Sequence, residues 1–190
     1  MVILVVARVL PRRRWRCWRA VQAEFTRTFF ALWPPPEVAA RLHALGKNKE
    51  GLPLRAGDLH LTLAFMGDVD AEEFECLRQI AASLSLPRAS LRIRSLKYWP
   101  HNQILWAAPE IWPPELADFV TDLHAALTDA GFKLDVRDFV PHVTLLRKAS
   151  TDLSLEVVEP VEWPLEGWSL AASAKSDGLR YRRLAEWAVA

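Results

Sequence analysis

The chain has 190 residues, 51% of them hydrophobic and 25% charged, with a formal net charge of +1. That length and apolar content suit one domain with a proper core, or one domain built from two similar lobes. The near-neutral balance excludes a general nucleic-acid coat protein, which carries a broad basic field, so any nucleic acid would be held locally, at an end or a single nucleotide.

In chain order, Val2 to Val6 is apolar, and Arg8, Arg12, Arg13, Arg14, Arg16 and Arg19 follow with no acidic residue before Glu24. A secretory signal has the opposite order, charge before the apolar stretch, and then a small-residue cleavage site. A transit peptide or an RNA-binding arm would share this composition. Residues 1–27 are read instead as a dispensable, poorly ordered Arg-rich extension, and residues 28–190 as a single bilobal domain.

Thr28 to Trp33 predicts a buried strand, stopped by Pro34, Pro35 and Pro36. Glu37 to Leu45 has helical apolar spacing and ends at Gly46, and Lys47 to Gly57 is read as a loop. Leu59 to Met66 predicts a strand stopped by Gly67 and Asp68, and Asp70 to Leu84 an amphipathic helix. Ser90 to Leu96 and Asn102 to Ala108 read as a hairpin across a turn holding Pro100. Pro113 to Ala130 predicts a long helix ending at Gly131. Strands are then expected over Phe139 to Arg147, Val161 to Ala171 and Leu179 to Val189. Helices mixed with short strand-to-strand links make the fold class α+β, with antiparallel pairing.

No apolar run approaches the roughly 20 residues of a membrane span, so no membrane partner is expected. The two cysteines, Cys17 and Cys76, form neither a disulfide framework nor a zinc spacing, which points to a reducing, cytoplasmic setting.

The informative feature is an internal repeat. His60, Leu61, Thr62 and Leu63 recur in the second half as His142, Val143, Thr144 and Leu145. In a strand, residues i and i+2 share a face, so each copy turns its His and Thr one way and its apolar pair the other. Pro141 biases Val140 toward extended backbone, which supports a strand there. Two such strands brought together by a pseudo-two-fold would set two imidazoles and two hydroxyls across one cleft. A neutral imidazole can take a proton from water while a protonated one gives a proton to a leaving oxygen. The hydroxyls can donate to phosphate oxygens as charge builds there. A single His-x-Thr is more often a core histidine beside a good strand former, whereas two matched copies reverse that preference. The scheme requires no metal and no cofactor.

Around these motifs lie Phe29 to Pro35, Asp58 to Gly67, Ile104 to Trp106, Pro141 to Arg147, and Arg180 with Tyr181. With them the chain resembles the 2H phosphoesterase superfamily, in particular the bacterial and archaeal RNA 2',3'-cyclic phosphodiesterases, also called 2'-5' RNA ligases. The resemblance runs from about Thr28 to Ala190. It implies a bilobal fold of two antiparallel sheets related by a pseudo-two-fold, with helices outside and the active site in the cleft between lobes. It implies further that His60 protonates the leaving oxygen, that His142 activates water, and that the product carries a 2'-phosphate. Thr62 and Thr144 would hold the phosphate, Arg147 would help neutralise it, and reversal would join ends through a 2'-5' linkage. The implied partner is RNA ending in a 2',3'-cyclic phosphate, or a cyclic nucleotide; lobes this intertwined in sequence make a monomer the default expectation. Val140 stands where a polar or basic residue is frequent in the family, and Ala171 to Ala174 is poorer in polar groups than its counterparts.

His43 and His124, on predicted helices without a Thr partner, are expected at the surface or an interface, and His101 in an exposed turn at the cleft rim. Trp163, Trp168 and Trp187 read as core. Tyr98, Trp99 and Trp106 read as packing residues, one of which could stack on a base. Two other readings stand beside the leading one: a phosphodiesterase for another cyclic or 2'-5'-linked nucleotide, and a non-catalytic nucleotide-binding module on the same fold. Binding alone has no need of two titrating imidazoles.

Overall fold

The computed structural model describes residues 25–135, 138–150, 155–173 and 180–190. Most of the expected N-terminal extension, residues 1–24, lies outside the described residues. Strand β1 (Phe25–Leu32) leads through helix α1 (Pro36–Leu45), the short β2 (Leu52–Pro53) and a 3₁₀ turn (Ala56–Asp58) into β3 (Leu61–Val69). Helix α2 (Ala71–Ala82) then crosses to the hairpin β4 (Ser90–Trp99) and β5 (Ile104–Pro109). Helix α3 (Pro114–Asp129) leads to β6 (Val143–Arg147), followed by β7 (Leu155–Pro164), β8 (Gly167–Ser173) and β9 (Tyr181–Ala188).

The helix ends follow local chemistry. Proline opens α1 and α3, where its missing N–H costs nothing. Asp70 and Glu73 form a reciprocal capping box on α2, each side chain accepting the other's backbone N–H at 2.8 and 3.0 Å. Gly131, at φ 93°, closes α3: its N–H reaches the Thr128 carbonyl while Phe132 N–H reaches that of Leu127, a Schellman pair.

The strands run in the order β7-β4-β5-β6-β3-β1-β8-β9, with antiparallel pairing between neighbours, and β2 lies beside β6. The order divides into two four-stranded halves that touch at one register pair, Leu61 opposite Val143. Each half is built around a strand–helix–strand unit, β1-α1-β3 in one and β5-α3-β6 in the other, which is the expected pseudo-two-fold. Each helix packs across the seam on the opposite half. Arg41 of α1 donates to the Pro160 carbonyl of β7 at 2.8 Å. Phe119 of α3 meets the ring of Trp168, on β8, edge-on at 5.0 Å. The two halves share one core that includes Phe30, Leu61, Val143, Trp163 and Trp168.

Three strand expectations are corrected. The strand expected from Phe139 is regular only from Val143, because Pro141 offers no N–H to a ladder. The single strand expected over Val161 to Ala171 is two strands, one in each half, which part at Leu165 and Glu166 after Pro164 ends β7. Strand β3 continues past Gly67 to Val69, with Gly67 at φ 76° beside a β-bulge. The polar segment after α1 also carries β2 and the 3₁₀ turn.

The crossed helices make the halves interdependent. Truncating buried Phe119 to Ala removes a contact between α3 and the opposite half. It should cost about 3–5 kcal/mol. A urea titration should show an earlier midpoint with one transition, the same by far-UV circular dichroism and by tryptophan fluorescence.

Candidate active site

The seam sets the site. Leu61 and Val143 are both fully buried, so their neighbours in sequence turn to the other face. The antiparallel register of this pair sets His60 across from Thr144, and Thr62 across from His142. All four line one open cleft of about 590 Å³.

The last residue of each repeated tetrapeptide is a bulge. Between Phe30 and Ala31 of β1, the partners on β3 jump from Ala64 to Thr62, leaving Leu63 extra. Between Leu105 and Trp106 of β5, the partners on β6 jump from Leu146 to Thr144, leaving Leu145 extra. A bulge leaves its residue unpaired and re-aims the side chains beyond it. Both freed carbonyls are satisfied: His124 donates from Nε2 to Leu63 O at 2.8 Å, and the Leu54 N–H donates to Leu145 O at 2.9 Å. Past the bulges, Ala64 and Leu146 enter the core, while Phe65 and Arg147 line the cleft at equivalent places.

The imidazoles are held alike. His60 Nδ1 lies 2.7 Å from the Asp58 carbonyl, and His142 Nδ1 lies 2.8 Å from that of Val140. A carbonyl can only accept, so each Nδ1 carries the hydrogen and each Nε2 is left for the cleft. His60 stacks on Phe29 at 4.8 Å, faces Trp33 at 4.9 Å and takes Tyr181 edge-on at 4.8 Å. His142 lies edge-on to Trp99 at 4.7 Å and to Trp106 at 5.8 Å. Asp58, only 1% exposed, also accepts the Arg180 backbone N–H at 2.9 Å, and so pins the start of β9, where Tyr181 sits.

The His60 imidazole is lowered from 6.5 to about 4, chiefly by burial and also by His142 and the Arg147 guanidinium, against the opposing pull of the Asp58 carbonyl. Burial also lowers His142, with the Val140 carbonyl opposing and Arg147 adding to the drop. Arg147 is therefore close enough to act on both rings. It has no carboxylate partner among the described residues, and its buried Nε has no hydrogen-bond acceptor there. Two neutral imidazoles, two hydroxyls and an unneutralised guanidinium make a receptor for an anion that can accept and surrender protons.

All five residues singled out in the sequence, His60, Thr62, His142, Thr144 and Arg147, meet in this cleft. His101 is exposed at its rim, and His43 lies half-buried on α1 away from it. His124 lies at an interface as expected, yet it also lines the cleft and holds the Leu63 bulge. The sequence reading missed Phe29 and Tyr181 as walls for an imidazole. Phe29 sits in a continuous apolar run, where periodicity cannot separate a cleft face from a core face. Trp163 and Trp168 are core, Trp187 packs half-buried against it, and Trp99 covers His142. Among the described residues no group of three or more His, Cys, Asp or Glu is placed to hold a metal ion, and no helix is long and apolar enough to cross a membrane.

Comparison with known proteins agrees with this geometry. The model of the 2'-5' RNA ligase superfamily matches residues 34–177. The RNA 2',3'-cyclic phosphodiesterase of Escherichia coli strain K12 is 32% identical over 181 residues, covering 88% of this chain and 98% of that protein. The Thermus thermophilus protein of the same name is 31% identical over 166 residues, covering 77% and 81%. The crystal structure of E. coli LigT complexed with 3'-AMP superposes with a TM-score of 0.79 at 29% identity, over 87% of this chain and 99% of that one. With its paired histidines on matched bulged strands and a family match over most of its length, this chain belongs to the 2'-5' RNA ligase superfamily.

Proposed function

We propose that this protein hydrolyses 2',3'-cyclic phosphates at RNA ends, leaving a 2'-phosphate and a 3'-hydroxyl. The observation that carries the reading is the matched pair of imidazoles, each with Nδ1 tied to a carbonyl two residues back and Nε2 free toward the cleft. The names of the E. coli and T. thermophilus relatives support it.

In the proposed reaction the cyclic phosphate lies between the histidines. His142 Nε2 accepts a proton from a water as its oxygen bonds to phosphorus. The bond from phosphorus to O3' breaks, and His60 Nε2–H delivers a proton to that oxygen. Charge gathering on the non-bridging oxygens is met by the hydroxyls of Thr62 and Thr144 and by Arg147. A ribose 5'-hydroxyl in the water's place would give a 2'-5' linkage through the same groups. One chain supplies every group the scheme uses, which is compatible with the expected monomer.

Metal-free protein should turn over a 2',3'-cyclic nucleotide monophosphate to the 2'-monophosphate. His60→Ala and His142→Ala should each lower kcat by about 10²–10⁴ with circular dichroism unchanged. Retained nucleotide binding together with no turnover by the wild type would instead establish the binding-module reading. A 3'-monophosphate product would reverse the assignment of the leaving oxygen.

The pH dependence has a definite sign. Both imidazoles titrate below their ordinary value, so the free protein loses its single active proton as pH rises past a point below 6.5. It gains the second, inactivating proton at a lower pH still. The profile of kcat/KM should be a bell with both limbs below 6.5, and these limbs belong to the pair rather than to either ring. A bound phosphate anion favours imidazolium, so the alkaline limb of kcat should lie at higher pH than that of kcat/KM. Coincident alkaline limbs would show that substrate does not charge the pair.

A further inference from the structure

Ser169 on β8 is 1% exposed, and its hydroxyl accepts the Trp33 indole N–H at 2.6 Å. It stands opposite Ala31 of β1, whose face Trp33 continues just past the end of the strand. On this face Phe29, Ala31 and Ala171 form a small apolar cluster apart from the main core, and Trp33 and Tyr181 pack against it.

The half-buried indole has two further neighbours. The His60 ring is centred 4.9 Å from it, and the Arg183 guanidinium lies 4.9 Å over it. Arg183 is in turn held by Glu186, its Nη1 donating to Oε2 at 3.2 Å. A guanidinium over an indole is attracted by the ring's quadrupole, and it also covers that ring. Beside Trp33 is a second hollow of about 320 Å³, which Ser169, Arg183 and Trp187 help to line. His60 lines the cleft and not this hollow, so the indole stands as a partition between them. Of the three rings around His60, those of Phe29, Trp33 and Tyr181, only Trp33 lines the second hollow. Trp33, Ser169 and Arg183 are all outside the lining of the cleft, so none of them holds the phosphate.

We propose that Trp33, pinned by Ser169 and capped by Arg183, is a positioning residue for His60: it closes one side of the imidazole to water and keeps Nε2 aimed at the cleft. The proposal deepens the acid role given to His60 above. The charged and titratable groups facing His60 are Asp58 from the 3₁₀ turn, His142 and Arg147 from β6 and Tyr181 from β9, with Arg183 of β9 behind the indole. Shortening Trp33 leaves each of the facing groups in place, so what changes is the burial of His60. Burial is the largest influence lowering that imidazole, and water admitted from the second hollow raises it toward 6.5.

The test is an NMR titration of the imidazole Cε1–H signals of the full chain without substrate, beside kinetics on a 2',3'-cyclic nucleotide. His60 should titrate near 4 in the wild type. In Trp33→Ala it should titrate about one pH unit or more higher with His142 unmoved, and the bell of kcat/KM should shift toward higher pH. At the new optimum kcat should fall roughly tenfold while KM stays within about twofold, since the acid is misplaced and the phosphate contacts are not. Trp33→Phe, which keeps a ring in place, should recover most of both effects. Ser169→Ala and Arg183→Gln should move His60 in the same direction by less, and they carry the test where Trp33→Ala fails to fold. A folded Trp33→Ala in which His60 still titrates near 4 would overturn the proposal. Equal rises in His60 and His142 would do the same, as the mark of a generally loosened cleft. Absence of turnover by the wild type would sink the phosphodiesterase reading alone, because the titration uses no substrate.

Discussion

Everything distinctive about this molecule depends on one contact, the pairing of Leu61 with Val143 where two half-sheets meet. A longer ladder would have fused the halves into a flat sheet and buried the residues between them. With a single pair the strands splay beyond it, and the opening is the cleft. Because both paired side chains are fully buried, the alternation of a strand delivers a histidine before each and a threonine after each to the same open face. The crossed helices hold the seam in register, since α1 and α3 each pack on the half to which their flanking strands do not belong.

The bulges at Leu63 and Leu145 turn this backbone symmetry into chemical difference. Without them, strict alternation would send Phe65 and Arg147 into the core, where a guanidinium would be costly to desolvate. With them, the third cleft residue of each strand is Phe65 or Arg147 in place of Ala64 or Leu146, and the two differ: a cation near the phosphate on one side, an aromatic ring on the other. Each bulge frees a carbonyl that has to be satisfied, and the two halves solve this differently. An imidazole from α3 serves one, and the backbone after β2 serves the other. That difference leaves the β3 edge open and the β6 edge covered.

The sequence carried the fold class, the helices and the five central residues, because a repeated His-x-Thr in an apolar frame is both a strand signal and a chemical one. What it hid has physical causes. The bulges are invisible to a period-two reading, since Leu63 and Leu145 look like ordinary core positions and only the partner strand shows them to be extra. The crossover between β7 and β8 lies inside one mostly apolar stretch, where Pro164 and Gly167 mark its place. His124 looked like an interface residue and is one, but its partner is a main-chain carbonyl 61 positions away, which no local pattern encodes. The aromatic walls of His60 come from β1 and β9 at opposite ends of the described chain, so composition could only report many aromatics without placing them.

The surroundings of the histidines look at first unsuited to acid catalysis. Aromatic rings and a nearby guanidinium both favour neutral imidazole, and an acid needs a proton. The conflict resolves if the missing charge belongs to the substrate. An anionic phosphodiester entering the cleft offsets Arg147 and restores the electrostatic balance that burial and the guanidinium had shifted, so imidazolium becomes favourable where and when it is needed. A protein with ordinary, solvent-exposed imidazoles would carry its proton regardless of what occupied the cleft. Here desolvation ties protonation to occupancy. The hydrogen bonds from each Nδ1 to a fixed carbonyl confine that exchange to Nε2, the atom facing the cleft.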